Sequence, residues 1–306
     1  MAMPPYHGSA MGGILEPVHD EDDSLLGQFI PLHYHGQMLA DERRMAPFHE
    51  AIERLVPDGA HVVDLGGGTG VLSFFAAKRA RKVTTVERLP HVAEAARRLL
   101  SSNGVAGKVT VVVADAREFM PEEPADVVLC ELLHVALVRE KQVEVLKSFK
   151  ARHLAKFNRR IPLIIPEASL LAVQPIFQPY DFLGYHAPVP LFLEPGSLAT
   201  TTVELGPPKV YAAVEYVQEL PEEFCFDELM PIEVTGTLNA LRFVTKNVVG
   251  IFPEEARSVD WHMQYLSMPL LEPLAVKAGS EVRVTFEYRA GTSVETLRSC
   301  VKATLA

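Results

Sequence analysis

A glycine-rich turn between a short apolar run and a helical segment constrains the fold of this chain most. The run His61–Leu65 leads into the glycines of residues 64–70, which read D-L-G-G-G-T-G. Thr69–Lys78 follows with its apolar residues on one helical face. Because glycine lacks a Cβ, such a loop lets the backbone approach a ligand closely. The pattern predicts a strand, a ligand-binding turn and a helix.

Strand-like and helix-like segments continue to alternate after this turn. Val83–Glu87, Val109–Val113 and Val127–Cys130 are short apolar runs, and Pro90–Leu100 is an amphipathic helix. Near-continuous apolar strands in a βαβαβ order are typical of a parallel sheet covered on both faces. Upstream, residues 25–55 have a helical pattern, which we expect to break at Pro47.

The pattern changes near Ile165-Pro166, where helical periodicity gives way to short β-branched and aromatic runs. This change predicts an antiparallel β-barrel or sandwich after the α/β Rossmann-like part. The expected strands are Leu170–Val173, Val210–Val217, Ile232–Thr237, Leu241–Val249 and Glu281–Tyr288. We therefore divide the chain into a flexible segment (1–23), a Rossmann-like domain with N-terminal helices (24–165) and a β-barrel domain (166–306).

Composition excludes several classes of partner. The 39 acidic and 29 basic residues give a formal charge of −10, which disfavours a nucleic-acid partner because phosphate binding needs a basic face. No apolar run reaches membrane-spanning length. The three cysteines are widely spaced and the 11 histidines show no metal-ligand spacing, so we expect no disulfide framework and no metal. The expected location is the cytoplasm.

The glycine run distinguishes between cofactor classes. A dinucleotide fingerprint needs Gly or Ala at its sixth position, where this chain has Val71 or Ser73. The form D-x-G-x-G-x-G instead resembles the class I methyltransferase signature. That resemblance implies S-adenosyl-L-methionine as cofactor and S-adenosyl-L-homocysteine as product. An unrelated α/β fold with a tight glycine turn is the alternative. The expected cofactor-binding residues are Arg44, Asp64, Gly66, Gly68, Gly70, Glu87 for the ribose, Asp115 with the Ala116 amide for the adenine, and Glu131.

Two glutamates follow the fourth predicted strand. Glu131 comes directly after Cys130, and Glu140 lies nine residues further on. A loop at the carboxyl end of this strand could bring both carboxylates into one pocket, where they would suit the rigid fork of a guanidinium. On the residues alone, Glu140 could equally be a solvated helix residue.

An upstream motif favours the interpretation that Glu131 and Glu140 share one pocket over a solvated Glu140. Residues 35–44 read H-G-Q-M-L-A-D-E-R-R, which resembles the protein arginine methyltransferase signature H-x-x-M-L-x-D-x-x-R. Glu131 and Glu140 have the spacing of that family's "double-E" loop, and Val259–Trp261 resembles its T-H-W element. The resemblance implies methyl transfer to a guanidino nitrogen of arginine. It assigns catalysis to Glu131, Glu140 and Asp41, and substrate contacts to Glu131, Glu140, Met38, Asp260 and Trp261.

The chain also departs from that family. The loop reads Leu132-Leu133-His134-Val135 instead of a Trp-Met-Gly-Tyr core, and Asp260 replaces a histidine. We expect Asp260 to face Asp41, with one of them protonated or His262 between them.

The family's dimerisation arm, and with it a homodimer, would depend on residues 176–208, a Pro-rich stretch without a clear helical hairpin. The departures suggest free arginine or another guanidino metabolite as the substrate rather than arginine in a protein. The expected acceptor is a guanidino nitrogen of arginine, either free L-arginine or arginine in a protein. The alternatives are a methyltransferase for another amine, hydroxyl or carbon of a small molecule, and an inactive scaffold.

Overall fold

A computed structural model of the chain describes residues 32–158, 161–195 and 202–306. The flexible segment expected over residues 1–23 lies outside the described residues. The helices are α1 Leu32–Ala40, α2 Glu42–Leu55, α3 Val71–Ala77, α4 Pro90–Ser102, α5 Gln142–Phe157 and α6 Val294–Cys300.

The first part of the chain forms a parallel sheet of buried strands. Its strands are β1 His61–Leu65, β2 Lys82–Glu87, β3 Val109–Val113, β4 Val127–Cys130 and β5 Leu163–Ile165. The order is β3-β2-β1-β4-β5, so the chain reverses its winding direction between β1 and β4. Ligand sites in such sheets lie at the carboxyl ends of the strands beside this reversal. A ligand site is therefore expected at the residues that follow Leu65, Glu87 and Cys130.

The second part of the chain is antiparallel. Its strands are β6 Ala168–Phe177, β7 Asp181–Phe182, β8 Tyr185–His186, β9 Leu191–Leu193, β10 Val203–Glu204, β11 Lys209–Glu215, β12 Glu223–Pro231, β13 Gly236–Phe252, β14 Arg257–His262, β15 Tyr265–Val276, β16 Glu281–Arg289 and β17 Lys302–Leu305. One sheet has the order β10-β6-β13-β15-β9, with β11 on β6 and β14 on β13; another has the order β12-β16-β17. On β16 every second side chain is buried, from Val282 to Tyr288. The α/β fold followed by an antiparallel sheet domain confirms the predicted fold class.

Two local predictions are wrong. Helix α2 continues through Pro47, and the helical region is instead interrupted at Asp41, whose side chain caps α2. Proline removes one helical hydrogen bond and crowds the preceding turn, and the packing of Phe48 and Ile52 in the core outweighs this cost. The strand expected at Ile232–Thr237 begins only at Gly236, where it runs without a break into the strand expected at 241–249.

Helix α2 joins the two parts of the molecule. Its Ala51 and Leu55 side chains lie so close to β13 that a Cβ on Gly250 would come within 2.9 Å of Leu55 Cδ1 and 3.0 Å of Ala51 Cβ. Glycine at position 250 therefore permits the close approach. At the other side of α2, the Phe48 ring meets the edge of Trp261 on β14, with the ring centroids 6.0 Å apart.

Candidate active site

The glycine loop after β1 has the backbone that the sequence predicts. Gly66, Gly68 and Gly70 have φ values of 77°, 54° and 82°, which side chains other than glycine rarely adopt. The N–H groups of Gly66 and Gly67 donate to the Val86 carbonyl at 2.9 and 3.0 Å. The loop is thus fixed against the end of β2, and Gly70 is the N-cap residue before the first residue of α3, Val71.

Asp64 supports this loop from behind. Its carboxylate is buried and accepts hydrogen bonds from Ser73 Oγ at 2.6 Å and Thr85 Oγ1 at 3.3 Å. Burial raises the pKa of Asp64 to about 6, and the two hydroxyl donors oppose the rise.

Acidic residues stand at the ends of the next two strands. Glu87 accepts hydrogen bonds from the backbone N–H of Gly68 at 3.1 Å and of Leu89 at 2.8 Å. Asp115 accepts from Arg117 Nη2 at 2.7 Å, and this bond lowers the pKa of the Asp115 carboxyl. Arg117, two residues after Asp115, is a partner that the sequence analysis missed.

Helix α1 covers the glycine loop and completes a cavity, here called the glycine-loop cavity. A Cβ on Gly68 would lie 2.8 Å from the His35 ring, so this face of the loop has no room for a side chain. The predicted site residues that line the cavity are Met38, Arg44, Asp64, Gly66, Gly68, Glu87, Asp115, Ala116, Glu131 and Glu140. Gly70 is not among the lining residues.

A second opening, the outer cleft, lies between α1, the loop after β4, and β14. Its lining includes the remaining predicted residues Asp41, Asp260 and Trp261. Met38, Arg44, Leu133 and the glutamates Glu131 and Glu140 line both the outer cleft and the glycine-loop cavity. The two openings therefore meet at the paired glutamates.

Arg44 stands at this junction. It forms an ion pair with Glu131, and its guanidinium lies over the Trp261 ring, 5.3 Å from the centroid. Burial lowers the pKa of Arg44 to about 10, and the charges of Asp41 and Glu140 oppose the shift. Burial raises the pKa of Glu140, and the charges of Arg139 and Arg44 oppose that rise.

The loop that carries the glutamates is held by the antiparallel part of the molecule. The Ala136 N–H donates to Thr245 Oγ1 and the Ala136 carbonyl accepts from Tyr288 Oη, both at 2.8 Å. The Arg139 N–H donates to the Thr292 carbonyl at 2.7 Å. Ala136, Leu137 and Arg139 have φ values of 58°, 52° and 63°. The sequence did not predict these hydrogen bonds to the glutamate loop, because Thr245, Tyr288 and Thr292 are distant from the loop in the chain.

Asp260 has a partner that the sequence analysis did not name. Lys246 Nζ on β13 lies 2.6 Å from Asp260 Oδ2. Lys246, on the strand that pairs with β14, therefore places a positive charge beside Asp260. Asp41, for its part, accepts from the Arg44 N–H at 3.3 Å as the cap of α2.

Two features of the described residues concern metal sites and membrane-spanning helices. Within residues 32–158, 161–195 and 202–306, no group of three or more His, Cys, Asp or Glu side chains is arranged to hold a metal ion. In the same ranges, no helix is both long and apolar enough to cross a bilayer.

Comparison with known proteins gives the class. A family model described as a methyltransferase domain matches residues 62–156. Solved protein arginine methyltransferases share the two-domain fold. One of them, the Trypanosoma brucei PRMT1 enzyme–prozyme complex with AdoHcy, covers 88% of this chain and 96% of its own, with a TM-score of 0.63 and 17% identity. The chain is thus a class I methyltransferase that resembles the protein arginine methyltransferases.

Sequence relatives define the family more closely. A protein of Methanothermobacter thermautotrophicus, described as uncharacterized, is 31% identical over 88% of this chain and 97% of its own. The chain belongs to the family of this archaeal protein. An arginine N(omega)-methyltransferase of Streptomyces achromogenes is 35% identical over 45% of this chain and 38% of its own.

The methyl donor is S-adenosyl-L-methionine, and S-adenosyl-L-homocysteine is the product. The residues of the glycine-loop cavity fit this cofactor. Glycine at position 68 leaves the loop backbone without a side chain on the face that His35 covers. The acidic residues Glu87 and Asp115 line the same cavity.

Proposed function

We propose that this protein transfers a methyl group to a guanidino nitrogen of arginine. The observation that carries the proposal is the position of Glu131 and Glu140, which line both the glycine-loop cavity and the outer cleft. A cationic acceptor in the outer cleft would meet two carboxylates at the point where the cofactor cavity opens.

The two carboxylates address the chemical difficulty of this reaction. A guanidinium with a pKa above 12 is a poor nucleophile and carries charge of the same sign as the donor's sulfonium. Glu131 and Glu140 would neutralise the guanidinium and hold its rigid fork of donors in one orientation. Arg44 keeps Glu131 in place through their ion pair. Burial raises the pKa of Glu140, and a guanidinium beside it would favour the carboxylate form again.

The residues of the glycine-loop cavity have the complementary task of holding the donor. When bound, S-adenosyl-L-methionine supplies an electrophilic methyl group. Glu87 would accept the ribose hydroxyls, Asp115 and the Ala116 amide would hold the adenine, and Arg44 would bind the carboxylate. Asp64, Gly66, Gly68 and Gly70 would shape the loop. Alignment of donor and acceptor can supply about 7–11 kcal/mol in favourable cases.

The proton released from the guanidinium needs an acceptor. Asp41 lines the outer cleft, and it or one of the two glutamates would take this proton. Met38 and Trp261 would form the apolar walls beside the reacting nitrogen. The name of the Streptomyces relative, arginine N(omega)-methyltransferase, supports the same acceptor. The homodimer and the cytoplasmic location expected from the sequence stay predictions.

Glu140→Gln tests the proposal. We expect methyl transfer to arginine to fall at least about 100-fold, because a neutral amide no longer compensates the guanidinium. Affinity for S-adenosyl-L-homocysteine should change less than about tenfold, since most of its cavity is intact. Radiolabel transfer to free arginine and to an arginine-rich peptide measures the first effect, and calorimetric titration measures the second.

Glu118→Gln is the matched control, because Glu118 is exposed and lines neither opening. It should leave transfer unchanged. Full activity of Glu140→Gln on every accepted guanidine would show that the paired-carboxylate role is wrong. If the wild-type protein binds the product but methylates no guanidine, the proposal is wrong, and either another acceptor or an inactive scaffold is the explanation. A screen of simple amines and hydroxyl compounds would distinguish these two alternatives.

A further inference from the structure

Arg139 is a cation at the outer cleft whose charge has no ion-pair partner among residues 32–158, 161–195 and 202–306. Its backbone is fixed by the bond to Thr292, and its side chain is exposed and lines the cleft. Its guanidinium forms no hydrogen bond or ion pair with any residue in the described part of the chain, although its charge acts on Glu140 and His134. It is therefore free to bind an anion that enters the cleft.

Nearby cations differ from Arg139 in this respect. Arg44 is paired with Glu131, Arg117 is paired with Asp115, and Arg43 donates to the Pro195 carbonyl at 2.9 Å. These contacts occupy their guanidinium groups within the fold. A ligand that bound to them would have to replace an existing partner, whereas one that bound to Arg139 would not.

Asp260 provides a site of opposite charge in the same cleft. One oxygen, Oδ2, is paired with Lys246. The other, Oδ1, is buried and has no hydrogen-bond donor within the described residues. A buried carboxylate oxygen without a donor is unfavourable, so a cationic donor from a ligand would be stabilised there.

We infer that the acceptor is a free guanidino amino acid, whose α-carboxylate binds Arg139 and whose α-ammonium binds Asp260. This inference rests on the proposed function, which places the guanidinium at Glu131 and Glu140. A free amino acid has both an anionic and a cationic group on its α-carbon. An arginine residue inside a peptide has neither, because its α-nitrogen and carbonyl are neutral amides. Arg139 and Asp260 are thus specificity-determining residues for the free zwitterion.

Four acceptors separate the contributions of the two charges. They are L-arginine, agmatine without the carboxylate, 5-guanidinopentanoate without the amine, and Nα-acetyl-L-argininamide as the mimic of a peptide residue. With the full chain, we expect KM for L-arginine to be about 10- to 100-fold lower than for agmatine, the range typical of charged hydrogen bonds. Nα-acetyl-L-argininamide should be the poorest acceptor of the four, since it offers neither charge.

Arg139→Gln should raise KM for L-arginine about 10- to 100-fold and change KM for agmatine less than about threefold. Arg139→Lys, which keeps the charge, should retain part of the preference. Asp260→Asn should raise KM for L-arginine but not for 5-guanidinopentanoate. Arg98→Gln, on the exposed face of α4, is the control that should change none of these values.

Calorimetric titration of the same compounds into the S-adenosyl-L-homocysteine complex separates this inference from the proposed function. Guanidine methylation without a preference for the zwitterion, or equal effects of Arg139→Gln on L-arginine and agmatine, would overturn the inference and leave the function standing. Arg139-dependent binding of L-arginine without any methylation would overturn the function and leave zwitterion recognition standing. Failure of L-arginine to bind would overturn the inference.

Discussion

At the scale of single residues, Gly67 is the position where the glycine loop tolerates a side chain least. A Cβ there would lie 1.9 Å from Thr85 Oγ1 and 3.1 Å from Asp64 Oδ2. Gly67→Ala should lower the free energy of unfolding by about 1–3 kcal/mol, because the loop must move away from β2. It should also weaken S-adenosyl-L-homocysteine binding. Urea unfolding and calorimetric titration measure the two effects.

Gly107→Ala is the matched control for this prediction. A Cβ on Gly107 would meet nothing within 4 Å, and its φ is not in the left-handed region, so stability should change by less than about 0.5 kcal/mol. Combining Gly67→Ala with Thr85→Ala removes the nearest atom and should restore part of the stability. Equal stability of Gly67→Ala and Gly107→Ala would mean that the loop accommodates the methyl group freely.

At the scale of elements, Asp41 has two tasks that substitutions can separate. Its side chain caps α2 by accepting from the Arg44 N–H, and its charge borders the outer cleft. Asp41→Ala should lower the free energy of unfolding by about 1 kcal/mol, whereas Asp41→Ser should preserve stability because serine also caps helices. Both variants should lose methyl transfer if the carboxylate accepts the proton. Urea unfolding measures the stability of each variant, and parallel assays measure methyl transfer. Equal stability of Asp41→Ala and Asp41→Ser would argue against a stabilising role for the helix cap.

At the scale of the whole molecule, the antiparallel part positions the glutamates of the Rossmann-like part. Tyr288 Oη donates to the Ala136 carbonyl in the loop between Glu131 and Glu140. Tyr288→Phe should lower kcat/KM for methyl transfer about tenfold or more, because the buried carbonyl loses its donor and the loop shifts. Affinity for S-adenosyl-L-homocysteine should stay within about threefold, since the glycine loop belongs to the other part.

Tyr180→Phe is a matched control for Tyr288→Phe. Tyr180 is also buried in the antiparallel part, and its hydroxyl lies 3.2 Å from Ser267 Oγ, away from the glutamate loop. Both variants should lose about 1 kcal/mol of stability by urea unfolding, but only Tyr288→Phe should lose activity. If the two variants reduced kcat/KM equally, the loss would reflect general destabilisation instead of loop positioning.

The parallel sheet was readily predicted from the sequence, and the antiparallel sheets less so. The strands β1 to β4 are nearly continuous apolar runs, because both of their faces are buried. Strand β13 was expected as two strands, since its burial changes along 17 residues and the pattern is interrupted at Asn239. The strand β12 was not predicted, because its exposed residues include Glu223, Asp227 and Glu228, which resemble loop residues.

The candidate site was also predicted only in part from the sequence. Glu131 and Glu140 could be chosen from their spacing and from the upstream motif, but the spacing does not determine whether a nine-residue loop brings them together. The backbone of Ala136, Leu137 and Arg139 is left-handed without glycine, so no residue type marks the turn. Tertiary hydrogen bonds from Thr245 and Tyr288 stabilise that conformation.

The sequence by itself determined the strand–glycine loop–helix unit, the order of the fold and the class of cofactor, because these depend on residues close together in the chain. The tertiary structure alone decided that the two glutamates stand where two openings meet, that Lys246 pairs with Asp260, and that the Arg139 side chain has no partner among the described residues. The anchoring of the glutamate loop depends on Thr245 and Tyr288, which are far away in the chain and reach the loop only through the packing of the two parts. Lys246 reaches Asp260 through the pairing of β13 with β14.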